Sequence, residues 1–269
     1  MELNKIYCGD NVELCKQLDD SCIDLTITSP PYDNLRSYNG FTWDFELLAK
    51  ELYRVTNDGG VVVWVVGDAT IKGSETGSSF KQALYFKEIG FNLHDTMIWN
   101  KSFFVPRDPR IPRYYQSFEY MFVFSKGKPI CNHIKEKCIC AGKKSNPYSR
   151  DSTDKLRLDR KEKNKEHIIK NEKIKGNVWT YAPSQNKHPA SFPEMLANDH
   201  IISWSNEGDL IFDPFMGSGT TAKMALKNNR NFIGFEISRE YVDMANERIE
   251  EYKMNCVTYD SKPGLEQWF

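Results

Sequence analysis

The sequence predicts an α/β fold with a mostly parallel, doubly wound sheet. Short apolar runs alternate with helical apolar periodicity along most of the chain. The continuous apolar run at residues 61–66 is typical of a strand that is buried on both faces. A glycine-rich segment at residues 213–221 follows one predicted strand and opens a predicted helix. With 269 residues, 40% of them hydrophobic, the chain is long enough for one sizeable domain with an insertion.

The individual elements follow from local patterns. Strands are expected where short runs of branched and aromatic residues occur, and helices where apolar residues recur on one face. The first long helix ends at an Asn-Asp-Gly-Gly stop at residues 57–60. Predicted strands span residues 3–7, 23–27, 61–66, 94–99, 120–124, 210–212 and 231–235. Predicted helices span residues 45–55, 80–86, 220–227 and 240–252.

Charge is distributed unevenly along the chain. Residues 126–176 carry 16 lysines and arginines against 7 acidic residues, although the whole chain has a net charge of −1. A basic segment on an acidic body is the electrostatic footprint expected for a nucleic-acid partner, and a solvated surface insertion is the other interpretation. We therefore predict a basic insertion at 126–176 within one domain formed by residues 1–125 and 177–269.

Several features bound the class of protein. No apolar run approaches the roughly 18 residues of a membrane span, and residues 1–5 lack the apolar core of a signal peptide. Seven cysteines without a secretion signal are typical of reduced thiols, so we expect a cytoplasmic protein that binds no membrane. The spacing of Cys131, His133, Cys138 and Cys140 is not a usual zinc-ligand spacing, and no metal is expected.

A Ser-Pro-Pro-Tyr turn follows the predicted strand at 23–27. Its prolines hold φ near about −65° and remove backbone N–H donors, which makes the turn rigid and rich in acceptors. The Ser29 hydroxyl and the Pro30 carbonyl are suited to accept the two hydrogens of an exocyclic base amine. Tyr32 offers a face on which the base can stack. An ordinary strand-to-loop turn is the alternative interpretation of this segment alone.

A second motif, Asp-Pro-Phe-Met-Gly-Ser-Gly-Thr-Thr, occupies residues 213–221. Its glycines allow a ligand to approach the backbone at the start of a helix. Glu236 lies 19 positions after Gly217, at the end of the next predicted strand. In nucleotide-binding α/β folds an acidic residue at about this spacing binds ribose hydroxyls. The motif therefore predicts a site for a ligand that contains a ribose.

Two phosphate-binding interpretations of this motif are weaker. A P-loop needs a lysine after its final glycine, where this chain has Thr220. A dinucleotide fingerprint needs a glycine or alanine three positions after Gly219, and Ala222 meets that requirement only marginally. The fingerprint also leaves the Ser-Pro-Pro-Tyr turn unexplained. A ligand with a ribose and no phosphate, such as S-adenosylmethionine, suits both motifs better.

Taken together, the two motifs resemble those of the β group of DNA amino-methyltransferases, which methylate cytosine N4 or adenine N6. The family's catalytic motif, Asp/Asn/Ser-Pro-Pro-Tyr/Phe, is matched at residues 29–32, and its cofactor motif, Asp-x-Phe-x-Gly-x-Gly, at residues 213–219. The catalytic motif comes first and the basic segment lies between the two, as in the β group. The resemblance covers nearly the whole chain and implies a Rossmann-like methyltransferase fold with permuted motif order and S-adenosylmethionine as cofactor.

The resemblance also implies roles for individual residues. Asp10 corresponds to the acidic site near the cofactor adenine, Pro189 to a His-Pro-x-x-x-Pro segment that closes the cofactor pocket, and Glu236 to the ribose-binding acid. The basic insertion and the flanking loop at 106–115 correspond to the target-recognition region. The implied catalytic residues are Ser29, Pro30, Pro31 and Tyr32. The implied cofactor-binding residues are Asp10, Pro189, Asp213, Phe215, Gly217, Gly219, Thr220 and Glu236.

The implied reaction is methyl transfer to a base flipped out of double-stranded DNA. A serine at the first position of the catalytic motif favours cytosine N4, with adenine N6 as the alternative. A restriction endonuclease is an implied partner, and the sequence leaves monomer and homodimer open. A non-catalytic DNA-binding protein on the same scaffold, and a methyltransferase of RNA or protein, are the other hypotheses. The intact motifs count against the former, and the basic insertion favours DNA.

Overall fold

The computed structural model describes residues 1–31, 43–102, 112–145, 167–183 and 192–260. The helices in these ranges are Asn11–Cys15 (α1), Phe45–Val55 (α2), Ser78–Glu88 (α3), Glu194–Trp204 (α4), Thr220–Lys227 (α5) and Arg239–Asp260 (α6). The strands are Lys5–Cys8 (β1), Ile23–Thr28 (β2), Thr56–Val66 (β3), Thr70–Ile71 (β4), Ser74–Glu75 (β5), Asn92–Asn100 (β6), Phe118–Ser125 (β7), Lys135–Lys137 (β8), Lys144–Ser145 (β9), His167–Ile168 (β10), Glu172–Ile174 (β11), Val178–Thr180 (β12), Leu210–Asp213 (β13) and Asn231–Glu236 (β14). None of the helices in the described ranges is long and apolar enough to cross a membrane.

An eight-stranded sheet forms the centre of the main unit, in the order β1-β14-β13-β2-β3-β7-β6-β12. Every neighbouring pair is parallel except the two that involve β7, which runs antiparallel to β3 and to β6. The predicted mostly parallel α/β sheet is therefore confirmed. Strands β14 and β13 lie between β1 and β2, so segments far apart in the sequence become neighbours.

Helices cover both faces of this sheet. Val62, Trp64 and Val66 of β3 belong to a buried cluster that includes residues of α1, α2 and α3. The intervening valines of β3, such as Val63 and Val65, are also buried, and α4 contacts β2 and β3. Because side chains alternate between the faces of a strand, β3 is buried from both sides. This explains the unbroken apolar run and confirms the doubly wound arrangement.

The strand β1 begins later than predicted. Asn4 has a φ of 59°, in the left-handed region, so the extended conformation starts only at Lys5. The Asn4 side chain is bound to β14, because its Oδ1 accepts a hydrogen bond of 3.0 Å from the Phe232 backbone N–H. Asn4, with its left-handed backbone and its bond to Phe232, therefore fixes the start of β1 beside β14.

Residues His133–Gly176 form a second compact unit. Its described part contains two antiparallel strand pairs, β8 with β11 and β9 with β10. Residues 146–166 of the predicted insertion lie outside the described residues. The first residues of that insertion belong to the sheet unit: Lys126 N–H donates to the Gly60 carbonyl at 3.0 Å. The compact unit thus begins several residues after the predicted boundary at 126.

Candidate active site

The predicted site residues that end or follow a described strand lie at one edge of the sheet. Asp10 follows β1, Glu236 ends β14, Asp213 ends β13 and Ser29 follows β2. These four strands are consecutive neighbours and run parallel, so their carboxyl ends lie side by side. In open α/β sheets this edge is where ligands bind. The order of the strands therefore brings the two motifs together although about 180 residues separate them.

Glu236 binds the glycine-rich loop directly. Its Oε2 accepts a hydrogen bond of 2.9 Å from the Gly217 backbone N–H, and its Oε1 accepts one of 2.9 Å from Ser238 N–H. Burial raises the pKa of the Glu236 carboxyl above its ordinary value, against the effect of these backbone donors. Each carboxylate oxygen has two lone pairs, so this group retains acceptor capacity for ligand hydroxyls.

Asp10 lies next to Glu236, because the N–H of the intervening Gly9 donates to the Glu236 carbonyl at 3.0 Å. Asp10 is exposed and caps α1, where its Oδ1 accepts hydrogen bonds of 3.0 Å from Val12 and Glu13. Among the described residues its second oxygen, Oδ2, has no partner. This oxygen is an acceptor at the same edge of the sheet.

The loop after β13 depends on its glycines. Gly217 and Gly219 have φ values of 51° and 79°, in the left-handed region that favours glycine. A Cβ on Gly219 would lie 3.0 Å from the Cβ of Ala245 in α6. Phe215 precedes these glycines, and its ring packs perpendicular to that of Trp43 at a centroid distance of 5.0 Å. The loop is thus fixed by close packing on two sides.

Asp213 connects the two motifs. Its Oδ1 accepts hydrogen bonds of 2.7 Å from Thr28 Oγ1 and 3.0 Å from Phe215 N–H, and its Oδ2 accepts one of 2.7 Å from Thr221 Oγ1. Only 2% of the residue is exposed, and this burial raises the pKa of the carboxyl to about 6. Thr28 immediately precedes Ser29. Asp213 therefore fastens the turn after β2 to the loop after β13.

The remaining predicted residues divide into two groups. Directly after β2, Ser29 and Pro31 are half-buried and Pro30 is buried, and Thr220 is the first residue of α5. Tyr32 and Pro189 lie outside the described residues, as do residues 106–111 of the predicted flanking loop. In the described ranges, the structure thus brings residues 29–31 and the glycine-rich loop to one place.

A comparison with known families agrees with this geometry. The family model for N6/N4 enzymes, described as DNA methylase, matches residues 23–247, a range that includes both motifs. The chain belongs to this DNA methylase family. The predicted resemblance is confirmed, and this DNA methylase is an amino-methyltransferase of the N4/N6 type.

Individual relatives support the same assignment. The orphan methyltransferase M.BamHII of Bacillus amyloliquefaciens is 54% identical over 251 residues, which cover 88% of this DNA methylase and 92% of the relative. Among solved structures, the cytosine-N4-specific PvuII DNA methyltransferase has a TM-score of 0.65 at 21% identity, covering 94% and 92% of the two chains. The M1.HpyAVI–SAM complex has a TM-score of 0.60 at 24% identity, covering 91% and 98%. These two structures confirm the Rossmann-like fold.

Some residues of the site in this DNA methylase carry no sequence signal. Arg248 in α6 and Glu194 in α4 contact the loop or each other, yet both occur in ordinary helical surroundings. Thr28 directly precedes the Ser-Pro-Pro-Tyr turn and Thr221 is the last residue of the second motif, so their positions are the signal that could have identified them. Their bond to a common carboxylate becomes visible only in the fold.

Proposed function

We propose that this chain transfers a methyl group from S-adenosylmethionine to the exocyclic amine of a base flipped out of double-stranded DNA, with cytosine N4 as its preferred target. The observation that carries this proposal is the Thr28–Asp213 hydrogen bond of 2.7 Å. It fixes the turn that contains Ser29 against the glycine-rich loop, so an amine and a cofactor would be held next to each other. Methyl transfer needs this proximity more than it needs an acid or a base.

The described residues fit the cofactor. Gly217 and Gly219 form a turn without side chains, Glu236 offers acceptor capacity to ribose hydroxyls, and Asp10 Oδ2 offers a further acceptor. When bound, S-adenosylmethionine supplies a methyl group on a sulfonium, which is already a good electrophile. The chain therefore has to orient the amine and exclude water.

The catalytic turn would orient the amine. Ser29 Oγ and the Pro30 carbonyl accept the two amine hydrogens, which turns the nitrogen lone pair toward the methyl group. Tyr32 stacks on the flipped base, whose extrusion costs a few kcal/mol. The amine nitrogen would attack the methyl carbon directly and in line as the carbon–sulfur bond breaks, with the bonding electron pair leaving on S-adenosylhomocysteine, and the methylated nitrogen would then release one proton to solvent. A carbon-5 cytosine methyltransferase would need a cysteine nucleophile, typically after a proline, and the chain has no Pro-Cys pair.

The second compact unit, His133–Gly176, would supply affinity for DNA. In its described part, Lys135 pairs with Glu172 at 3.8 Å and Lys173 pairs with Glu136 at 2.9 Å, both at the surface. Lysines outnumber these acids, so the unit keeps a positive surplus for phosphates. A restriction endonuclease of the same sequence specificity is the proposed functional partner, and the cytoplasm is the proposed location.

Labelled methyl transfer tests the function. The protein is incubated with S-adenosylmethionine carrying a labelled methyl group and with double-stranded DNA of varied sequence. The DNA is then digested to nucleosides, and the methylated nucleoside is identified by mass. We expect N4-methyldeoxycytidine. N6-methyldeoxyadenosine would overturn the base preference and keep the reaction class, whereas label only in RNA or protein, or in nothing, would overturn the proposal.

Gly219→Ala is expected to weaken S-adenosylmethionine binding about tenfold, because a positive φ costs about 1 kcal/mol for alanine and the new Cβ displaces the loop from Ala245. Gly208→Ala is the matched control. Gly208 also has a positive φ, of 87°, and a Cβ there would have no neighbour within 4 Å. Calorimetric titration should show weakened binding for the Gly219 variant alone, while the strain of a positive φ lowers the stability of both variants. Equal affinities would contradict the role of this loop.

A further inference from the structure

Arg248 of α6 binds the glycine-rich loop through hydrogen bonds to Ser218 and Thr220. Its Nη1 donates to the Ser218 carbonyl at 3.0 Å, to Ser218 Oγ at 3.3 Å and to Thr220 Oγ1 at 3.1 Å. These acceptors lie on both sides of Gly219. The Arg248 side chain is 18% exposed, so little solvent competes for the guanidinium. One side chain thus spans the part of the loop with left-handed conformation.

Helix α6 is packed closely against this loop. Ala245 lies one turn before Arg248 on the same face of α6, and its Cβ would be 3.0 Å from a Cβ on Gly219. Val242 and Ile249 on the same side are buried. The contact through Ala245 and the hydrogen bonds of Arg248 therefore act together at one point of the loop.

The same guanidinium is bound to the start of another helix. Nη2 of Arg248 donates to Glu194 Oε1, and Lys223 Nζ donates to the same oxygen at 2.8 Å. Burial acts to raise the pKa of Glu194, but Lys223 and Arg248 outweigh it and hold that pKa below its ordinary value. Glu194 is the first residue of α4, shortly after Pro189. The cluster of two cations around one carboxylate thus joins α4, α5 and α6.

We propose that Arg248 is a positioning residue that keeps the loop in the conformation that binds the cofactor and that fastens it, through Glu194, to the start of α4. The inference rests on the proposed function, in which this loop binds S-adenosylmethionine. Arginine suits the task because its planar, permanently charged group can bind several acceptors at once. When the binding conformation is only partly populated, the apparent affinity falls by that fraction.

The test compares Arg248→Met and Arg248→Lys with the control Arg239→Met. Arg239 lies in the same helix and forms an exposed pair with Asp243 at 3.1 Å, and within the described ranges it has no hydrogen bond to the loop. Arg248→Met is expected to raise the Kd and the KM for S-adenosylmethionine about tenfold, with kcat at saturating cofactor within about twofold of wild type. Arg248→Lys should recover part of the loss, because an ammonium reaches fewer of the acceptors. Arg239→Met should match wild type.

The outcomes separate this inference from the proposed function. Glu236→Ala tests the cofactor site itself: unchanged cofactor affinity in Glu236→Ala would count against that site. Weakened binding in Glu236→Ala with unchanged binding in Arg248→Met would overturn only the role of Arg248, even if the melting temperature of Arg248→Met falls. Should Arg248→Met fail to fold, Glu194→Gln carries the test. Its Kd for the cofactor is expected to rise about threefold, and an unchanged Kd would overturn the inference.

Discussion

Asp213→Ala is expected to abolish measurable binding of S-adenosylmethionine and to lower the free energy of unfolding by about 3 kcal/mol or more. The substitution leaves the Thr28 and Thr221 hydroxyls and the Phe215 N–H without their common acceptor in a buried place. Each unpaired buried donor costs about 1–3 kcal/mol. The loop also loses its attachment to the catalytic turn. Calorimetric titration and denaturant unfolding at pH 7 measure the two effects.

Asp213→Asn is expected to keep the fold. The asparagine oxygen can accept from Thr28 and Phe215, and its amide group can donate to Thr221 Oγ1. The Thr221 hydroxyl then points to the Ile27 carbonyl, which already lies 3.4 Å away. Because this variant carries no ionisable group, it isolates the effect of the Asp213 charge.

The stability difference between wild type and Asp213→Asn should depend on pH. Burial raises the pKa of Asp213 from an ordinary 3.8 to about 6, so the folded state binds more protons than the unfolded state between these values. The contribution of Asp213 to stability is fully present below about pH 4 and is lost as the pH rises through about 6. Wild type should lose up to about 3 kcal/mol relative to the variant across this window.

Asp24→Asn is the matched control for this experiment. Like Asp213, Asp24 accepts both side-chain and backbone hydrogen bonds, in its case one of each, from Asn57 at 2.6 Å and Leu210 at 2.8 Å. It lies near the opposite end of β2 and does not contact the loop. The affinity of the Asp24→Asn variant for S-adenosylmethionine should equal that of wild type. A flat stability difference for Asp213→Asn between pH 4 and 6 would contradict the buried, proton-binding carboxyl.

Ser29→Ala is expected to reduce single-turnover methylation of DNA about 100-fold while the cofactor Kd stays within about twofold of wild type. The hydroxyl would orient the amine, whereas the glycine-rich loop and Glu236 would bind the cofactor. Tyr32→Ala should also lower turnover, with the larger part of its effect on the KM for DNA, because it removes the stacking face. Rapid-quench kinetics at saturating cofactor measure both variants.

Two further variants serve as controls for the Ser29→Ala result. Ser74→Ala removes a hydroxyl from the exposed hairpin of β4 and β5 and should behave as wild type. Thr28→Val removes the partner of Asp213 next to Ser29, and its effect should fall chiefly on the cofactor Kd. Full turnover in both Ser29→Ala and Tyr32→Ala, with intact cofactor binding, would refute the proposed catalytic turn.

The sheet and the motifs could be predicted because local chemistry specifies them. The run at 61–66 predicts a strand buried on both faces, and β3 is such a strand. The glycine-rich segment predicts a loop that opens a helix, and α5 begins at Thr220 as expected. In both cases the signal lies within a few consecutive residues, where backbone preference and burial act in the same direction.

Helix α4 could not be predicted in this way. A helix is normally recognised by one apolar face, but the buried residues of α4 include Asn198, Asp199 and His200. Each has a polar partner from elsewhere in the chain or in the helix: Asn228 donates to Asn198 and Trp204 donates to His200, at 3.0 and 3.2 Å. Tyr181 donates to Asp199. These hydrogen bonds offset the cost of removing the polar side chains from water. The partners come together only in the folded chain, so the sequence pattern does not show them.

The contacts of the candidate site were equally hidden. Arg248 is one charged residue among several in a polar helix, and nothing in its neighbours distinguishes it from an exposed arginine. The Thr28–Asp213 bond spans 185 positions and depends on β13 being inserted beside β2. Strand order in a sheet is a long-range property, which the local sequence does not encode by itself.

The strand order also has a consequence for synthesis on the ribosome. In the eight-stranded sheet β1 pairs only with β14, although it is made about 220 residues earlier. Strand β2 can pair with β3 early, but its second neighbour, β13, is synthesised much later. The edge that carries the candidate site therefore assembles late, after nearly the whole sheet has left the ribosome. A nascent or truncated chain that ends before β13 would contain the catalytic turn without a place for the methyl donor.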